Sequence, residues 1–152
     1  MHAAEISRTA LDVEWRRLEI ISENLANANV ANSAKGATFK ALHMVSGPKA
    51  GFASFLDAND PKQAAPNQAI DIDKLSGVEV LGVEASAAAP RMVHEPGNPQ
   101  ADKNGFVSYP AVDQAEEMTA MLRTSRAYEA NIVALKSAGE MYSKALTIGE
   151  RT

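Results

Sequence analysis

All seven prolines of this 152-residue chain fall between Pro48 and Pro110, and six of its nine glycines fall between Gly47 and Gly105. Proline breaks a helix from within and glycine weakens one, so long helices are confined to the two ends. Both ends carry helical periodicity. The spacing predicts three parts: a helix with an asparagine-rich turn over 1–33, a β-rich module over 34–110, and a second helix over 111–152.

In the first part Leu11, Leu18 and Leu25 recur every seven residues, with Trp15, Ile21 and Ala28 on the same side. Ile6, Ala10, Val13 and Ile20 widen the apolar face, and the predicted helix runs from about residue 3 to 29. Trp15 is expected as a packing anchor. The helix runs into four asparagines, Asn24, Asn27, Asn29 and Asn32. Carboxamides neither titrate nor act as strong nucleophiles; they end helices and start turns.

In the last part Met118, Met121, Ser125, Tyr128, Ile132, Leu135, Gly139, Tyr142 and Leu146 alternate spacings of three and four. That is a heptad seam, which keeps one stripe against a partner helix. Asp113 is placed to cap this helix and Glu116 stands at the capping-box position. Ser125 and Gly139 are small enough to admit a close neighbour.

Between the helices, 49–69 is small, polar and proline-broken, and is expected to be mobile. Ile70 and Ile72, then Val78, Val80 and Val83, alternate in strand fashion. PRMVHEP and NGFVSYP supply two more short strands around a turn at Pro96–Pro99. The expected fold class is therefore α+β, with the terminal helices paired as a coiled-coil-like hairpin around a small β module.

The chemistry of most enzymes is missing. There is no cysteine, which excludes disulfides, iron–sulfur clusters and thiol catalysis. His2, His43 and His94 are scattered without metal-site spacing. Asp102 to Gly105 falls short of a calcium loop and reads as a turn, and Asp71 and Asp73 have no organising partner. No catalytic residue, metal or cofactor is expected, nor a small-molecule substrate. A net charge of −4 without a basic patch disfavours nucleic acid, and no apolar run is long enough to span a membrane. The N-terminus also lacks the apolar core of a cleaved secretory signal.

Geometry makes a positive demand instead. At about 1.5 Å per residue the helices reach roughly 40 and 55 Å. Val13, Ile20, Leu122 and Val133 lie off the main seams. Each such side chain gains about 1.5–3 kcal/mol when fully buried, and a short module cannot cover two rods of that length. The expectation is a chain that self-associates or co-assembles.

Specific residues then carry a resemblance. Asn24, Leu25, Asn27 and Asn29 match the signature that follows the first helix in bacterial flagellar axial proteins. Pro96, Gly97, Asn98, Pro99, Asp102, Gly105 and Asp113 are similar to the stretch before the last helix in the C-type proximal rod proteins of the basal body. Arg126, Tyr128 and Asn131 continue that likeness within the helix. The resemblance implies a structural subunit that leaves the cell through the flagellar type III export apparatus without a cleaved signal. It implies helical assembly with copies of itself and neighbouring rod proteins in the periplasmic part of the basal body. The terminal helices would form the inner tube, 34–110 would sit outside, and torque would pass along the rod. Another axial protein, such as a B-type rod protein, is the near alternative, and a cytoplasmic coiled-coil adaptor or export chaperone is the distant one.

Overall fold

A computed structural model describes residues 2–31, 39–49 and 77–149. The elements are α1 (His2–Asn27), β1 (Leu42–Pro48), β2 (Val78–Ala85), β3 (Arg91–His94), β4 (Phe106–Tyr109) and α2 (Gln114–Gly149). Two long terminal helices and a middle of short antiparallel strands make an α+β chain, as the distribution of proline requires. The tract beyond Lys49, with Ile70, Asp71, Ile72 and Asp73, lies outside the described residues, as does Asn32.

The helices pack antiparallel. Near one end Asn24 bonds Glu117, and farther along the ring of Trp15 meets that of Tyr128 at 6.3 Å. Asp113 caps α2 as expected: its Oδ1 accepts from the amides of Ala115 (2.9 Å) and Glu116 (3.1 Å). The end of α1 differs from the left-handed asparagine cap that its sequence suggests. No non-glycine residue among those described has a positive φ. The chain tightens instead, with Ala28 N–H bonding Leu25 O and Val30 N–H bonding Asn27 O. Asn27 also donates to the carbonyl of Glu23 at 2.8 Å, so it does serve the helix end.

β1 and β2 form an antiparallel hairpin laid along α1. The register slips between Val45 and Ser46, leaving Leu81 as the extra residue of a bulge. Side chains of α1 pin this hairpin at intervals. Thr9 Oγ1 accepts the Val78 amide at 3.1 Å, and Arg17 Nη2 donates to Ser46 Oγ at 2.9 Å while its Nη1 holds Glu14 at 2.7 Å. Thr9, Val13, Arg17, Ile20 and Asn24 follow one another at spacings of three and four, hence on one face. That face explains the core. Val13 and Ile20, which the sequence leaves off the main seam, are buried because the hairpin covers them.

Gly77 opens β2 with φ 113°, and a Cβ there would land on Thr9 Oγ1. Gly77→Ala is therefore expected to cost about 1–3 kcal/mol through backbone strain alone. Urea denaturation measures it, and an unchanged midpoint contradicts the left-handed backbone at Gly77.

β3 and β4 pair in a second hairpin, Arg91 opposite Tyr109 and His94 opposite Phe106. Its connection uses the signature residues. Asn98 Nδ2 and Tyr109 OH both donate to Glu95 Oε2, at 2.9 and 3.0 Å, and Asp102 Oδ1 accepts the amides of Asn104 and Phe106. Gly105 takes φ 80°, where a Cβ would crowd His94 and Pro96. The turn reading of Asp102–Gly105 is correct, and Val107 and Pro110 behind it are fully buried.

The hydrogen bond to Glu95, then burial, raises the Tyr109 phenol above its ordinary 10.0. A raised folded value means that the contribution is complete below pH 10.0 and is lost as pH climbs through the folded value. Tyr109→Phe should weaken this hairpin at neutral pH and abolish that alkaline loosening. Tyrosinate titration alongside hairpin amide exchange tests it; an alkaline transition unchanged in the variant contradicts it.

Candidate assembly surface

Asn24 is the most consequential polar residue in the structure. It lies three residues before the end of α1 and is 1% exposed. Its Nδ2 donates to the Leu42 carbonyl (2.9 Å) and to Glu117 Oε1 (2.7 Å), and its Oδ1 accepts the Leu42 amide (2.8 Å). One carboxamide thus mimics a strand edge for β1 and ties both to the start of α2. The sequence marks this residue, but as a helix-ending one; the three-way clasp is a different role. A carboxamide suits it because it offers donor and acceptor side by side without charge.

The heptad seam predicted along α2 is only partly the face that packs on α1. The covered residues are Glu117, Ala120, Thr124, Ser125, Ala127, Tyr128, Asn131, Leu135 and Ala138, with Thr124 deepest. Ser125, Tyr128 and Leu135 therefore belong to the intramolecular contact. Met118, Met121, Ile132, Tyr142 and Leu146 do not; they are exposed. On the α1 side Leu11, Leu18 and Leu25 are half-buried and Ile21 is buried. The covered face of α2 mixes small residues, Ala120, Thr124, Ser125 and Ala127, with the larger Tyr128 and Leu135, and the row of Met118, Met121 and Ile132 turns outward. Trp15 is no buried anchor either: it is 56% exposed at the margin, with Nε1 donating to Glu19 at 3.2 Å.

What α2 leaves open is extensive. Leu122 is 62% exposed and Val133 63%. Past Ala138 every described residue is exposed, because α1 has ended, and Ile148 reaches 71%. Gly139 has nothing near the position of its missing Cβ. Arg126 and Glu129 are exposed; the ion pairs among the described residues are Arg16–Glu19 and Arg17–Glu14.

At the opposite end of the hairpin, α1, β1 and the start of α2 enclose a half-open groove of about 410 Å³. Its wall includes Ile20, Ile21, Leu42, Met44 and Val112, and Asp113, Glu116 and Glu117 stand along it. Among the described residues no three of His, Cys, Asp and Glu gather to hold a metal ion, and no helix is long and apolar enough to cross a membrane.

This α+β chain leaves much of α2 uncovered. Known proteins place it among structural subunits of the flagellar rod. Residues 103–148 match the family described as flagellar basal body rod FlgEFG protein C-terminal. The flagellar basal-body rod protein FlgC of Salmonella typhimurium is 36% identical over 146 residues, covering 96% of this chain and 95% of that protein. FlgC of Bacillus subtilis is 30% identical over 154 residues, covering 98% and 97%. FlgC of Borreliella burgdorferi is 28% identical over 149 residues, covering 94% and 93%. The chain belongs to the FlgC family of flagellar basal-body rod proteins.

Proposed function

We propose that this rod protein is a subunit of the proximal rod, that it polymerises helically through its terminal helices, and that it carries motor torque outward. The observation that carries this reading is the uncovered back of α2. Leu122, Ile132, Val133 and the row from Met141 to Ile148 are too apolar to remain in water along a single stable rod. Residues 1–33 and 111–152 then make the wall of the tube, and 34–110 stands outside it. The clasps suit a load-bearing part. Thr9, Arg17 and Asn24 lock the β1–β2 hairpin to α1, so a force on one is passed to the other.

The partners are copies of this chain and neighbouring rod proteins, within the periplasmic section of the basal body. The route there is the flagellar type III export apparatus. Glu117 and Asn24, 93 residues apart in sequence, meet only when both ends have been delivered and folded together. A strain deleted for this chain is expected to be non-motile, with membrane rings that carry no rod, and complementation restores the rod. Complete rods and normal hooks in the deletion strain overturn the proposal.

A further inference from the structure

We propose that the overhanging end of α2 from one copy docks into the groove between α1, β1 and the start of α2 of the next copy. This rests on the rod-subunit reading and names the contact through which subunits meet. The antiparallel pairing of Asn24 with Glu117 and Trp15 with Tyr128 brings the start of α1 opposite the region of Glu140. The residues from Met141 to Gly149 therefore project past α1, a span of roughly 13 Å at the helical rise. Met141, Lys144 and Ile148 follow at spacings of three and four, so an apolar–cationic–apolar stripe runs along the overhang.

The groove has the complementary character. Its wall is apolar through Leu42 and Met44, with the buried Ile20 behind them; Arg17, held by Glu14 and Ser46, and His43 also line it, and three carboxylates border it. Two of these are engaged within the chain: Asp113 caps α2 and Glu117 accepts from Asn24. Glu116 forms no ion pair among the described residues, and neither does Lys144. Lys144 on the overhang meets Glu116, while Met141 and Ile148 enter the apolar wall. Overhang and groove lie at opposite ends of one helical hairpin. A contact between them is head-to-tail, and a head-to-tail contact that does not close on itself propagates as a helical assembly.

The chain has no cysteine, which makes cross-linking clean. In a strain producing the Met44→Cys, Ile148→Cys double variant, mild oxidation of purified basal bodies is expected to yield disulfide-linked multimers of this chain, absent from either single variant. Separately, Glu116→Lys and Lys144→Glu should each lower the swimming fraction about tenfold, because like charges then face each other, and the two together should restore it. Rods that contain the double-cysteine chain without cross-links, or cross-links to a different rod protein, overturn the docking while leaving the rod-subunit reading standing. Failure of the charge pair to rescue also overturns it. Absence of the wild-type chain from rods altogether overturns both.

Discussion

Replacing Asn24 with alanine is expected to lower stability by about 3–4 kcal/mol, near the low end of about 1–3 kcal/mol for each of three orphaned partners because Glu117 is only half-buried. For a chain of this size that corresponds to a melting temperature roughly 5–15 °C lower. The loss has three sources: the Leu42 amide, the Leu42 carbonyl and Glu117 all lose their partner at once. Asn24→Asp separates them. Its carboxylate still accepts from the Leu42 amide but faces the Leu42 carbonyl and Glu117 as a third acceptor. Protonation relieves that, so the Asp variant should gain stability relative to wild type as pH falls, whereas the Ala variant should not. Thermal denaturation of the three proteins across a pH series measures both effects. A wild-type melting temperature in the Ala variant would remove the clasp from the account.

Leu122→Glu with Val133→Glu is expected to abolish swimming without unfolding the protein. The two residues lie eleven apart, three helical turns, on one side of α2, and both stand in solvent in the isolated chain. Two carboxylates there cost the monomer little, since surface substitutions usually change stability by no more than about 0.5 kcal/mol. Inside an assembly they would be buried without partners, which costs far more. Leu135→Asp makes the contrasting control. Leu135 is half-buried against α1, so that change should weaken the hairpin itself and lower the melting temperature. Motility assays beside thermal melts separate the cases, and normal swimming in the Leu122, Val133 double variant contradicts an assembly role for this face.

Much of the fold is legible in the sequence because its signals are local. Proline confined to the middle delimits the helices, Asp113 announces the start of α2, and PGNP with Asp102 and Gly105 marks a hairpin whose connection uses the Asn98 and Asp102 side chains and the positive φ of Gly105. The packing between elements is less legible. Heptad reading gives weight to large apolar residues, yet α2 meets α1 through Ala120, Thr124 and Ala127 and keeps Met118 and Ile132 outside. Thr9, Arg17 and Ser46 carry no sequence signal that distinguishes a clasp from an ordinary surface residue. Asn24 does stand out, but its partners lie 18 and 93 residues away, so a local reading sees a helix end. Spacing alone offers one hint: Thr9, Arg17 and Asn24 share the stripe of Val13 and Ile20, a polar series on an apolar face.

The most direct test is cryo-electron microscopy of purified basal bodies at a resolution that traces helices. This chain is expected in the proximal rod, with α1 and α2 paired in the tube wall, the back of α2 against neighbours, and both hairpins outside. A rod complete without it, or one in which Leu122 and Val133 face open solvent, contradicts an assembly role for this chain and this face.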